Sequence, residues 1–137
     1  MATTKANNCR FFTSIEQSEK LEKFLPQESS DMYYLYWKED NHLANLDPFV
    51  ADGTEERDDG LYNYLSSWSL GALLKVIPKH IKDVNVLRID IGEKDFSIWY
   101  DMIGGGGVNT NLPDITMENP VDACVEMIIR LHDLSLL

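Results

Sequence analysis

Only two cysteines, Cys9 and Cys124, occur in the 137-residue chain, far apart and in unlike settings. That excludes the disulfide framework of a small secreted scaffold and the clustered thiols of a structural zinc site. Histidine is equally sparse: His42, His80 and His132 fall in separate segments, and none shows a metal-ligand spacing such as His-x-x-x-His. Basic residues are few. Twelve Lys and Arg stand against 23 Asp and Glu, a formal charge of −11. Binding to a nucleic-acid backbone depends on cations that displace counterions, so direct nucleic-acid binding is disfavoured, as is docking on anionic lipid. No apolar run approaches the roughly 18 residues of a membrane span, and the first ten residues lack a signal-type apolar core. These absences together point to a cytoplasmic protein, without a membrane segment.

What is present describes an ordinary folded domain. Apolar residues make up 44% and charged residues 26%, enough for a hydrophobic core. Residues 1–13 read as a flexible polar segment and residues 14–137 as a single α+β domain. A helix is expected over about 14–25. Thr13 with Glu16, or Ser14 with Gln17, has the capping-box spacing, and Pro26 stops the helix. Met32–Trp37 is rich in aromatics and reads as a strand, with Tyr33, Leu35 and Trp37 on one face and Met32, Tyr34 and Tyr36 on the other. After a turn at Glu39-Asp40-Asn41, residues 42–46 read as a short return strand. The pattern then breaks down from Asp47 to Tyr64.

A central amphipathic helix is expected over about 67–78. Ser67 is its N-cap, Leu70, Leu73, Leu74 and Ile77 form its buried stripe, and Pro78 ends it. The clearest hairpin follows: Val84–Ile91 and Phe96–Met102 both alternate, joined across Gly92-Glu93-Lys94-Asp95. A third strand is expected over 108–112. Asn119 as N-cap and Pro120 at the first helical position open a last helix over about 119–133, with Val121, Cys124, Val125, Ile128 and Leu131 as its buried stripe. Strands come in hairpins rather than alternating with helices. The reading is therefore an antiparallel sheet of about four to five strands with three helices packed mainly on one face.

Motifs of chemistry fail one by one. Gly104-Gly105-Gly106-Gly107 lacks the Lys-Ser/Thr pair that a phosphate loop requires, so it reads as a flexible loop between strands. Against the calcium-loop template, Asp52, Thr54 and Glu56 fit positions 1, 3 and 5, but Arg57 takes the place of the glycine and Asn63 that of the bidentate acid. No serine sits in a Gly-x-Ser-x-Gly turn, and Asp122 with Glu126 reads as a solvated pair on a helix face. No cofactor is implied.

Two features stand above this background. One is the aromatic content of the strands, from which Tyr33, Trp37 and Trp99 are candidates for a partner-binding patch. The other is the acidic stretch from Asp52 to Gly60, from which Glu55, Glu56, Asp58 and Asp59 are candidates for docking on a basic partner. The expected function is that of a non-enzymatic accessory or binding protein acting through protein–protein contacts. An acidic DNA-mimic inhibitor of a nucleic-acid-binding protein is one alternative. A small-ligand-binding protein or enzyme with a loop-built site is another. An exposed Tyr/Trp strand edge is compatible with a dimer.

Three phrases carry a resemblance. They are Leu25-Pro26 with Ser30-Asp31-Met32-Tyr33-Tyr34; Trp68-Ser69-Leu70-Gly71-Ala72-Leu73-Leu74 with Ile77-Pro78; and Asn119-Pro120-Val121-Asp122-Ala123-Cys124-Val125-Glu126-Met127-Ile128. Together they resemble a family of small, acidic, uncharacterised proteins of Bacteroides-type gut bacteria, often encoded on phage-related or mobile elements. The resemblance implies a bacterial cytoplasmic setting and an accessory role in a mobile element, and it transfers no catalytic residue.

Overall fold

The computed structural model describes residues 10–53 and 60–137. It is an α+β protein, with two antiparallel sheets, of three and five strands, and three α-helices among the described residues. The chain divides into two compact units. One is built from residues 12–72 and the other from residues 73–137 together with the described residues 10 and 11.

In the first unit, α1 (Ile15–Glu22) starts where the sequence places it. Ser14 accepts from Gln17 N, and the Gln17 side chain accepts from Ser14 N, a complete capping box. The helix stops at Glu22 rather than Leu25, and residues Gln27–Ser29 form a 3₁₀ turn after Pro26. The sheet has the order β2-β1-β3, with β1 (Met32–Trp37) between β2 (Phe49–Val50) and β3 (Tyr62–Ser67). The expected return strand over 42–46 is reduced to one bridge between Leu43 and Tyr36, and β2 and β3 supply the pairing instead. The Asn45 side chain explains this: its Oδ1 accepts from Leu35 N at 2.9 Å, taking a ladder position that a strand would fill. Helix α1 packs on β3.

The core of this unit holds a hydroxyl network. Thr13, Ser18 and Ser67 are fully buried. Thr13 Oγ1 lies 2.7 Å from Ser18 Oγ and 3.0 Å from Ser67 Oγ, and accepts from Trp68 N at 3.0 Å. The Tyr34 hydroxyl donates to Thr13 O at 2.9 Å. Each buried polar group thus finds a partner within the protein, as a low-dielectric interior demands.

Helix α2 (Leu70–Val76) is shorter than expected, and its cap is Ser69. Ser69 Oγ accepts from Ala72 N at 3.2 Å, while Asp31 Oδ1 accepts from Ser69 N at 2.8 Å. Ser67 ends β3 with its side chain committed to Thr13, so it cannot cap the helix. Trp68 lies between strand and helix, fully buried, and its indole N–H donates to Ser29 Oγ at 3.0 Å.

In the second unit, β6 (Phe96–Met102) is the centre of the sheet. β5 (Asn85–Ile91) pairs along one edge, with β4 (His80–Ile81) outside it. β7 (Gly107–Val108) and β8 (Ile115–Met117) share the other edge of β6. The expected strand over 108–112 is therefore only its first residue, and β8 is an element that the sequence did not announce. Phe96, Ile98 and Tyr100 point to one face and are buried there, at 4%, 0% and 0% exposure. Helix α3 (Pro120–Asp133) packs on β6 and β8. Asn119 caps it, its Oδ1 accepting from Val121 N at 2.8 Å and Asp122 N at 3.2 Å. The glycine run turns the chain from β6 into β7. Gly104, Gly105 and Gly107 take φ of 90°, 86° and 76°, a region closed to most side chains, so the run is a tight hairpin turn. No helix among the described residues is long and apolar enough to cross a membrane.

Candidate functional site

The candidate site grows out of the alternation in β1. Cross-strand partners share a face, so the register decides which side chains meet. Tyr33 lies opposite Phe49 of β2 and Ser66 of β3, Leu35 opposite Tyr64, and Trp37 opposite Tyr62. One face of the three-stranded sheet therefore carries five aromatic rings around Leu35. Tyr33 contacts Phe49 and Tyr64 with ring centroids 5.7 and 5.4 Å apart, and Trp37 contacts Tyr62 at 4.5 Å. All three pairs are tilted by 40–48°, inside the range in which ring quadrupoles attract.

The two faces of this sheet differ in exposure. On the opposite face Tyr34 and Leu65 are buried, at 2% and 8%. Burial, and then the charge of Glu19, raises the Tyr36 hydroxyl above its ordinary pKa there. On the aromatic face Trp37 and Phe49 remain 42% and 47% exposed. Two large aromatic side chains left in water on one sheet face are uncommon on a surface with no partner to receive them.

The structure brings Tyr33 and Trp37 onto this one face, as the strand pattern implies. Trp99 is elsewhere, on β6 of the five-stranded sheet. Its indole N–H donates to Asp101 Oδ1 at 2.8 Å, and Arg88 Nε lies 3.4 Å from Asp101 Oδ2, so Trp99 belongs to a polar lattice on its own sheet. Glu55, Glu56, Asp58 and Asp59 lie outside the described residues, as do Cys9 and most of the acidic stretch. Phe49, Tyr62 and Tyr64 are members of the face that the sequence reading passed over. Tyr62-Asn63-Tyr64-Leu65 does alternate, and that was the available signal.

Two open depressions among the described residues have polar groups in their walls. A depression of about 420 Å³ beside the glycine turn is lined by His80, Arg88 and Asp101, and the last two already serve the lattice just described. A second, of about 480 Å³, lies along β3 and includes Glu22, whose Oε2 accepts from Ser66 N at 2.8 Å. Among the described residues no three His, Cys, Asp or Glu converge as a metal-binding group. A scan against protein-family models finds no match to this chain, and neither do searches of the curated proteins and of the solved structures.

Proposed function

We propose that this is a non-enzymatic accessory protein that docks a basic, extended segment of a partner protein on the aromatic face of its three-stranded sheet. The observation that carries the reading is the exposure of Trp37 and Phe49 on a face that also holds Tyr33, Tyr62 and Tyr64. Charge supports the nature of the partner. The chain carries −11, and the segment joining β2 to β3 runs Asp52-Gly53-Thr54-Glu55-Glu56-Arg57-Asp58-Asp59-Gly60. Both of those strands contribute rings to the face. Lys and Arg side chains are attracted to ring faces, a chain of negative charge draws a basic partner, and an extended backbone matches the flat surface of a sheet. A cytoplasmic setting, and an accessory role in a mobile element, belong to the same proposal. Sparse cysteine and the resemblance carried by residues 25–34, 68–78 and 119–128 support them.

The test is backbone NMR of the intact chain titrated with extended decapeptides rich in Arg and Lys, and with acidic decapeptides of equal length. Shifts from the basic peptides, confined to β1, β2 and β3 around Tyr33, Trp37, Phe49, Tyr62 and Tyr64, support docking on this face. Equal responses to both peptide classes, or shifts centred on the five-stranded sheet, refute it.

A further inference from the structure

The second unit carries an open sheet edge with a two-fold character. In an antiparallel ladder, residues alternate between those whose backbone groups face the neighbouring strand and those whose groups face away. Both ends of the β5–β6 ladder set the phase. Gly92 N donates to Asp95 O at one end, and Ile103 N donates to Val84 O at the other. Counting inward from either end, Val86, Arg88 and Asp90 bond to β6, while Asn85, Leu87, Ile89 and Ile91 turn their backbone groups outward. β4 answers only the first two of these. Ile81 lies opposite Asn85, and Leu87 N donates to Lys79 O. Ile89 and Ile91 lie beyond the end of β4. Their side chains, on the buried face of the sheet, are nonetheless 40% and 79% exposed.

Such an edge invites another strand. We propose that it receives the same edge of a second copy of this chain, antiparallel about a two-fold axis at Asp90. In that register Ile89 faces the partner's Ile91 and Ile91 faces the partner's Ile89. The four residues exchange four backbone hydrogen bonds, and their side chains cover one another. The sequence is suited to this reversal, because Ile89-Asp90-Ile91 reads the same in both directions. On the opposite face the axis sets Asp90 against the partner's Asp90, with Arg88 diagonal to it on each side. Across the pair the order is Arg, Asp, Asp, Arg: the two carboxylates at the axis repel, and each Arg88 lies within diagonal reach of the partner's Asp90 to offset that repulsion. Arg88 lies opposite the partner's Gly92, which offers no side chain to block its reach. Pro78 would obstruct the partner if it continued β4 in the sheet plane. Instead the Tyr100 hydroxyl donates to Pro78 O at 2.6 Å, and Tyr100 points to the buried face, so the chain has left the plane by that residue. Two outward residues per copy make a short contact, so the association is weak and depends on concentration.

Cysteine trapping tests both the contact and its register. A facing, non-hydrogen-bonded pair in an antiparallel ladder has the Cα separation that a disulfide accepts. In a Cys9→Ser background, Asp90→Cys is expected to yield mainly disulfide-linked dimer under mild oxidation. Arg88→Cys, opposite a glycine, is expected to stay monomeric. Adding Ile91→Pro to Asp90→Cys removes an outward N–H that serves no bond within the sheet. It should abolish the cross-link while circular dichroism stays unchanged. No cross-link at position 90, equal cross-linking at 88 and 90, or a cross-link that survives Ile91→Pro would overturn the proposal. An extended segment of another protein on this edge would read as the first of these outcomes.

Discussion

Replacing Thr13 by valine tests whether the hydroxyl network holds the first unit together. The shape of the side chain is nearly kept, and only its hydrogen-bonding capacity is lost. Thr13 Oγ1 accepts from Trp68 N at 3.0 Å, and Trp68 is fully buried, so the substitution strands that amide away from water. A buried donor left without a partner costs about 1–3 kcal/mol. The contacts to Ser18 Oγ at 2.7 Å and Ser67 Oγ at 3.0 Å go as well. Ser67 keeps its bond to Thr13 O at 3.3 Å, which softens its share, and each lost hydroxyl contact is worth about 0.5–1.5 kcal/mol. The added methyl returns roughly 0.8 kcal/mol of burial. The balance is a destabilisation of about 2–4 kcal/mol. That is a large part of the roughly 5–15 kcal/mol that separates a native domain from its unfolded chain. Urea unfolding followed by tryptophan fluorescence reads this directly, because Trp68 sits inside the network. Thr13→Ser keeps the hydroxyl and loses one methyl, so it should cost less than Thr13→Val. A valine variant within about 0.5 kcal/mol of wild type, or a serine variant less stable than the valine one, would refute the reasoning.

Two further expectations concern the second unit. Asn119→Ala removes the acceptor shared by Val121 N and Asp122 N, and the Nδ2 donor to Arg10 O at 3.1 Å, and should destabilise by about 1–2 kcal/mol, whereas Asn119→Ser, which keeps a capping oxygen, should cost less. Burial pushes the Cys124 thiol up to about 12 from its ordinary 9.0, with the Lys79 charge opposing, and burial also raises the Tyr100 hydroxyl. Below the unfolded pKa both states hold these protons and stability is unaffected. Above it the unfolded chain releases the thiol proton while the folded chain keeps it. Stability should therefore fall from about pH 9 toward pH 12, by up to about 1.4 kcal/mol per pH unit for the thiol. Denaturant midpoints across that range check this, and Cys124→Ala should flatten the slope.

Elements with strong local signals were legible in the sequence. The Ser14–Gln17 capping box, the Asn119-Pro120 start and the β5–β6 hairpin all stand where pattern and cap chemistry put them. Elements defined by pairing were not. β2 and β8 have two and three residues, too few to show a period, and exist because β1 and β6 offer them a ladder. The run Ser66-Ser67-Trp68-Ser69 holds four residues that look like caps or a first turn. Only the tertiary partners, Thr13 for Ser67 and Asp31 for Ser69, decide which serine ends a strand and which begins a helix. The candidate face was half legible for the same reason. Tyr33 and Trp37 lie on one strand and share a face by period alone. Phe49, Tyr62 and Tyr64 join them only through register. Trp99 had the same composition signal and lies on the other sheet, where its indole N–H donates to Asp101.

The most direct test of the account compares the affinity of one Arg- and Lys-rich decapeptide for wild type, Trp37→Ala and Trp99→Ala by isothermal titration calorimetry. A tryptophan that anchors a binding face typically carries about 2 kcal/mol or more, about 30-fold in affinity. Trp37→Ala should weaken binding by at least ~10-fold while Trp99→Ala leaves it within about two-fold, the unfolding midpoints of both variants being measured alongside. Equal losses in the two variants, or undiminished binding by Trp37→Ala, would contradict the assignment of docking to the aromatic face of the three-stranded sheet.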